Sequence, residues 1–168
     1  MLVKETKQTA EKIFLNFKDG KVVKRNNYEE EEHYSEVVGE VTGINLARRT
    51  FRGEQVSYWY LNLSDVADNY AIGFAFSNNL FKSIILQLAS VEGLEAIKRG
   101  EQLRFVPYQR GGYDKVQIYA GEIKLSWNKE QLPPLKEVNT GAKVVKDDTE
   151  RMDFIISLVD SINKVLKK

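Results

Sequence analysis

A chain of 168 residues, 42% of them hydrophobic, is the size of one ordinary domain and can bury a substantial core, which excludes global disorder. The formal net charge is only +1, so a polyanionic partner can be inferred only from where the positive side chains lie. Cysteine is absent and histidine occurs once, at His33, which excludes disulfides, thiolate metal sites and a cysteine nucleophile.

The chain lacks the common sequence motifs of enzymes. It contains no GxxxxGK(S/T) phosphate loop, GxSxG elbow, HExxH pair or Rossmann glycine pattern. His33 follows the glutamates at 29–32, and its neighbours show neither ligand nor nucleophile spacing. We therefore expect a protein that is not an enzyme and that uses no metal and no cofactor.

The N-terminal segment MLVKETKQTAEK does not have the apolar centre of a secretory signal. No apolar run approaches the roughly 18 residues that a membrane-spanning helix needs. The absence of cysteine leaves the redox compartment open, with a mild lean to the cytosol. We therefore expect a cytoplasmic protein without membrane contact.

Residues 1–33 are predicted to form a hairpin followed by an acidic connector. KIFLNFKDGKVVKR holds two β-rich runs around Asp19-Gly20, a dipeptide that favours the positive φ angles of a tight turn, so we predict a hairpin at residues 12–25. NNYEEEEH then reads as a solvated connector, because it is polar and acidic throughout.

Residues 34–127 are predicted to form three strands, a helix and two strands. YSEVVGEVTGINLARRTF alternates in polarity and contains Gly39 and Gly43, where a bent strand is expected; VSYWYLNL and YAIGFAF follow as strands. LFKSIILQLASVEGLEAIKRG repeats apolar residues every three or four positions after cap candidates at Ser77 and Asn78, which predicts a helix with a break near Gly93. EQLRFVPY and KVQIYAGEIKLSW return to strand character around the turn QRGGYD.

The end of the chain is predicted to be a linker at 128–146 and an amphipathic helix at 147–168. The linker contains Pro133-Pro134 and little periodicity. The helix carries an apolar stripe of Met152, Ile155, Ile156, Val159, Ile162 and Leu166. Because terminal helices usually dock, packing on its own domain is favoured over binding a protein partner or a second copy.

The order of three strands, a helix and two strands is that of the OB-fold, a small five-stranded, partly open barrel. Residues 34–127 resemble the OB-fold single-stranded DNA-binding proteins: GEVTGINLARRTFRG and VSYWYLNL stand at their first two strands, and QRGGYD at the loop between the last two. The resemblance implies a mainly β fold with an N-terminal hairpin and a C-terminal helix, and a phage-like or mobile-element role in replication or recombination. The acidic tail of the bacterial members is missing, so recruitment of partners through such a tail is not expected.

Alternation within these strands predicts which side chains face outward. Trp59, Leu61 and Leu63 are the better core set, since tyrosine hydroxyls are more easily hydrated than buried. Outward tyrosines interleaved with cations suit single-stranded DNA, with RNA left open, because rings stack on bases and cations meet phosphates. The small residues Ala71, Gly73 and Ala75 are expected to form the groove floor. The candidate binding residues are Arg48, Arg49, Arg52, Tyr58, Tyr60, Arg104, Tyr108, Arg110, Lys115 and Tyr119.

Each of these residues also has an ordinary interpretation. A strand tyrosine can pack beneath the N-terminal hairpin or the C-terminal helix, and an exposed arginine can simply be solvated. At the level of the whole chain, the alternative is a structural or protein-interaction module that uses the barrel or the terminal helix for oligomerisation. A third possibility is an oligosaccharide-binding barrel, in which the tyrosines would stack on sugars and arginine would matter less.

Overall fold

The computed structural model describes residues 12–25, 30–139, 141 and 144–167. The strands are β1 Lys12–Lys18, β2 Lys21–Arg25, β3 Glu31–Tyr34, β4 Val37–Phe51, β5 Glu54–Ser64, β6 Asn69–Ala75, β7 Leu103–Arg110, β8 Tyr113–Ala120, β9 Ile123–Lys124, β10 Lys136–Asn139 and β11 Val144–Asp147. The helices are α1 Asn79–Leu88, α2 Val91–Lys98 and α3 Thr149–Leu166, with a 3₁₀ turn at Lys129–Gln131. The predicted mainly β class with a C-terminal helix is confirmed.

Nine strands of the described chain form one sheet in the order β3-β2-β1-β6-β5-β4-β7-β8-β9, and β10 pairs with β11 separately. All neighbours are antiparallel except β1 and β6, which are parallel. The hairpin predicted at 12–25 is confirmed, and its turn residues Asp19 and Gly20 have φ angles of 53° and 72°. The hairpin therefore belongs to the main sheet and extends it by three strands together with β3.

The sheet is not closed into the expected barrel. Strand β1 lies along the free edge of β6, with Lys12 opposite Asn69 and Leu15 opposite Ile72. The outer edge of β8 is satisfied by the side chain of Gln87 from α1, whose Nε2 donates to the carbonyl oxygen of Val116 at 2.9 Å. Its Oε1 accepts from the backbone N–H of Ile118 at 2.8 Å. Because both edges already have hydrogen-bond partners, β6 and β8 do not pair.

The buried glutamine provides a test of how α1 is attached to the sheet. Gln87 is fully buried, so Gln87→Leu leaves the Ile118 N–H and the Val116 carbonyl without partners, and we expect it to lower the free energy of unfolding by about 1 to 3 kcal/mol. Chemical denaturation measures the loss, and Gln102→Leu on the exposed surface is the control. Equal stability of Gln87→Leu and the wild type would contradict this role.

The acidic connector prediction is wrong for residues 31–33, which lie in β3. Glu31 lies opposite Arg25 in the pairing of β3 with β2. Its carboxylate is 3.5 Å from the Lys18 ammonium and 3.7 Å from the Arg25 guanidinium. Opposite charges across neighbouring strands stabilise the pairing, so a segment that looks like a solvated acidic run becomes an edge strand. Residues 26–29 of the predicted connector lie outside the described residues.

The helix predicted with a break near Gly93 is two helices, and the break lies at Ala89 and Ser90. Ser90 ends the first and caps the second: its hydroxyl accepts from the Gly93 N–H at 3.0 Å and donates to the Gln87 carbonyl at 2.7 Å. Gly93 is needed for packing instead, because a Cβ there would lie 2.4 Å from the Gln87 carbonyl oxygen. Of the two predicted cap candidates, Ser77 and Asn78, it is Asn78 that caps the first helix, with its side chain accepting from the Phe81 N–H.

The segment predicted as a linker is partly regular. Asn128 and Gln131 form a reciprocal capping box around the 3₁₀ turn. Residues Lys136–Asn139 then pair with Val144–Asp147 as a two-stranded ribbon. Weak periodicity in the sequence hid this ribbon, since each of its strands is only four residues long.

The predicted core assignment is confirmed. Trp59, Leu61 and Leu63 are 3%, 0% and 1% exposed. In β7 and β8, the residues Leu103, Phe105, Val116 and Ile118 are buried as well. Trp59 stacks on Phe81 of α1 with ring centroids 5.0 Å apart, so the helices cover this face of the sheet and leave the opposite face for other uses.

Helix α3 packs on its own domain, as predicted. Met152, Ile155, Val159 and Ile162 are buried, whereas Ile156 and Leu166 at the margins of the predicted stripe are only partly buried. The side chain of Asn163 bonds both the N–H and the carbonyl of Ile44, at 3.1 and 2.9 Å. This contact lies beside the irregularity between Val41 and Gly43, where the bend of the long strand was predicted. Among the described residues, no helix is long and apolar enough to cross a bilayer.

Candidate nucleic-acid interface

A groove of about 720 Å³ crosses the face of the sheet opposite the helices. It runs over four neighbouring strands. Strand β1 contributes Lys12, Phe14, Leu15 and Asn16, and β4 contributes Asn45, Ala47 and Arg49. Strand β5 contributes Tyr58, Tyr60 and Asn62, and β6 contributes Ala71 and Gly73. Apart from Leu15, these side chains follow the period of two expected for one face of a sheet.

Three aromatic rings line the groove. Tyr58 and Tyr60 lie 6.3 Å apart between ring centroids with a tilt of 33°, and Phe14 meets Tyr60 edge to face at 6.0 Å. Phe14 is 61% exposed, which is unusual for phenylalanine, and Tyr58 and Tyr60 are each partly buried. The rings therefore form a partly hydrated aromatic surface.

The small residues of β6 do not form the bare groove floor that the sequence predicted. A Cβ on Gly73 would lie 3.4 Å from Cε1 of Tyr60 and 3.7 Å from Cε1 of Tyr58. The glycine therefore lets the tyrosine rings lie close to the backbone of β6, so the rings cover part of the predicted bare floor. Ala71 lines the groove as expected, whereas Ala75 lines a neighbouring depression.

The two cations of the groove lie at its two ends. Arg49 donates from Nη1 to the Tyr60 hydroxyl at 2.9 Å, and its guanidinium carbon is 5.9 Å from the centre of the Tyr58 ring. Lys12 donates from Nζ to Oδ1 of Asn62 at 2.9 Å. No aspartate or glutamate is among the described residues that line the groove. The groove is therefore locally positive, although the whole chain is nearly neutral.

Two further predicted arginines lie near the Arg49 end of the groove but do not line it. Arg48 is exposed and, by strand alternation, faces away from Ala47 and Arg49. Arg52 is in the turn between β4 and β5, with its guanidinium 5.3 Å from the centre of the Phe51 ring. That turn borders a depression of about 680 Å³ which shares Arg49 and Tyr58 with the groove.

Arg104 and Tyr119 form a separate pair on β7 and β8. The Arg104 guanidinium lies 5.0 Å from the centre of the Tyr119 ring, and its Nε donates to Glu36 at 2.8 Å. The hydrogen bond to the Glu36 carboxylate raises the pKa of Arg104 above its ordinary value. Because this cation already has an anionic partner, it is poorly placed to bind phosphate.

The remaining predicted residues belong to the β7–β8 hairpin. Tyr108 lies opposite Lys115, and Arg110 lies opposite Tyr113. The hairpin abuts the β1–β2 turn, where the Gly20 N–H donates to Asp114 at 2.9 Å. Lys115 lines a different cavity, beside Trp127. Of the ten predicted residues, the groove therefore brings together only Arg49, Tyr58 and Tyr60.

Five polar or aromatic groove residues were not predicted: Lys12, Phe14, Asn16, Asn45 and Asn62. The sequence KIFLNFK does carry a signal, because Lys12, Phe14 and Asn16 alternate with three apolar residues. Alternation predicts that these three side chains share one face of β1, but it does not predict which strand lies beside β1. The parallel pairing with β6 is what places these side chains beside the tyrosines.

Comparison of the chain with models of protein families, with curated proteins and with solved structures found no match. Within the described ranges, no three or more histidine, cysteine, aspartate or glutamate side chains form a group that could hold a metal ion. The geometry of the groove, with its rings, amides and cations, is therefore the basis for a functional proposal.

Proposed function

We propose that this chain binds single-stranded DNA with little sequence specificity, in replication or recombination. The observation that carries the proposal is the groove itself: Phe14, Tyr58 and Tyr60 line it together with Arg49 and Lys12, and none of the described residues that line it is an aspartate or glutamate. Rings that line an open groove provide surfaces on which unpaired bases stack, at about 1 to 3 kcal/mol per base. A duplex keeps its base faces stacked on each other, so the same surface favours single strands.

The connectivity of the central strands supports an OB-fold core. Strands β4, β5 and β6 follow one another as antiparallel neighbours, and the chain returns through α1 and α2 to place β7 beside β4. This is a Greek-key arrangement, which is the connectivity of the five-stranded OB barrel. In this proposal the N-terminal hairpin is an addition that widens the binding face across β1.

The test is a titration of labelled single-stranded and duplex DNA over a range of salt concentrations. Single strands should bind more tightly than duplex, and affinity should fall with salt because phosphate binding releases counterions. Arg49→Met should weaken single-strand binding and lower the slope of log Kd against log salt by about 0.7, the value for one phosphate contact on a single strand.

Arg99→Met is the matched control for this experiment. Arg99 is exposed at the end of α2, contacts Glu95 and Glu101, and does not line the groove. Its replacement removes the same charge from the chain and should leave the salt slope unchanged. Equal slopes for the wild type and Arg49→Met, or equal affinity for duplex and single strands, would contradict the proposal.

A further inference from the structure

Three side chains on the groove form a row of hydrogen bonds with a fixed direction. Lys12 Nζ donates to Oδ1 of Asn62 at 2.9 Å, and Nδ2 of Asn62 donates to Oδ1 of Asn45 at 2.8 Å. An ammonium group can only donate, so the carbonyl of Asn62 must face Lys12. The amide nitrogen of Asn62 must then face Asn45, and the carbonyl of Asn45 must face Asn62. The lysine thereby determines the orientation of both amides.

This direction determines what the row offers to a ligand. The carbonyl oxygens of Asn62 and Asn45 are turned into the row, whereas the NH₂ group of Asn45 and the other protons of the Lys12 ammonium remain for a ligand. Asn62 is only 9% exposed, so its amide has little freedom to turn, while Asn45 is exposed. The row therefore presents hydrogen-bond donors to the groove.

The row lies beside the stacking surface. Asn45 is directly opposite Tyr60 in the pairing of β4 with β5, and Asn62 is the next residue on the same face of β5. Asn45, Asn62 and Lys12 line the same groove as Tyr60 and Phe14, so a base stacked on either ring would bring its edge toward the row. The row is therefore placed to contact base edges.

We infer that Lys12, Asn62 and Asn45 give the proposed single-strand binding a preference for bases rich in carbonyl oxygens, thymine and uracil, over adenine. This inference rests on the proposed function. Thymine and uracil carry two carbonyl acceptors on their edges, whereas adenine places an exocyclic amine donor where a carbonyl would be needed. A donor that faces another donor leaves both without a partner, which disfavours adenine at this position.

The experiment compares oligothymidine and oligoadenosine of equal length in Asn45→Asp and Asn62→Asp variants. Asn45→Asp replaces the free NH₂ by an acceptor oxygen. Because this position is exposed, the substitution should not disturb folding. Asn62→Asp accepts from both neighbours, so the Asn45 amide turns and offers its carbonyl to the groove. The ratio of the two dissociation constants should move toward adenine by about fivefold or more in each variant, as expected for one lost base-edge contact.

Asn16→Asp is the matched control, because it adds the same charge to the same groove from β1 but is outside the row. It should weaken the binding of both oligonucleotides equally and keep the wild-type ratio of their dissociation constants. Because the variants are compared by this ratio, self-stacking of oligoadenosine affects all of them alike. If the two row variants bind DNA with the same ratio as Asn16→Asp, the inference is wrong and the proposed function stands. If the wild type binds neither oligonucleotide, the proposed function fails as well.

Discussion

Replacement of Tyr58 and Tyr60 together by alanine should weaken single-stranded DNA binding by about 30-fold or more, since each stacked base contributes about 1 to 3 kcal/mol. The two rings are neighbours on one face of β5, so one variant removes most of the aromatic surface of the groove. Fluorescence anisotropy with a labelled oligothymidine measures the change. Thermal unfolding of the variant shows whether the sheet is intact, because both side chains are only partly buried.

Two controls separate stacking from other effects. Phenylalanine at both positions keeps the rings but removes the hydroxyl that accepts from Arg49, so most of the affinity should remain. Tyr34→Ala removes an exposed tyrosine that does not line the groove and should bind normally. If the double alanine variant is folded and binds as tightly as the wild type, these rings are not the binding surface.

Asp148→Ala should lower the free energy of unfolding by about 3 kcal/mol, the effect of leaving a buried charge without its partner. Lys82 lies on α1 with its side chain only 4% exposed, and its Nζ meets the two carboxylate oxygens of Asp148 at 2.8 and 2.9 Å. We take the lower end of the expected range because Asp148 is itself 30% exposed. Urea denaturation followed by circular dichroism measures the loss.

The neighbouring ion pair of Lys136 and Glu150 serves as the control, since its side chains are 61% and 48% exposed. Glu150→Ala should shift the unfolding midpoint much less than Asp148→Ala, because water screens an exposed pair. Adding Lys82→Met to Asp148→Ala should restore part of the stability by removing the buried charge. A midpoint for Asp148→Ala equal to that of the wild type would show that the pair does not hold α3 to α1.

Local sequence patterns were sufficient to predict the core strands and helices and the face on which most of their side chains lie. The period of two in VSYWYLNL separated Trp59 from Tyr58 and Tyr60, and the structure buries the tryptophan while the tyrosines line the groove. The Asp19-Gly20 turn and the stripe on α3 were likewise predicted. These features depend on neighbours within a few residues, which is why one sequence is enough to predict them.

The composition of the groove depended on contacts between distant segments. Strand β1 could pair with several edges, and only the folded sheet places Lys12 and Phe14 next to β6 and β5. Arg104 looked equivalent to Arg49 in the sequence, but its partner Glu36 is 68 residues away along the chain. Alternation predicts the face of a strand and carries no information about which strand lies beside it.

By itself, the sequence determined the strands and helices of the core and which side of β5 faces water, because side-chain period and turn chemistry are local properties. The tertiary structure alone decided that the sheet stays open and that the groove extends onto β1. The physical reason is competition for backbone hydrogen bonds at sheet edges: β1 takes the edge of β6, and Gln87 takes the edge of β8.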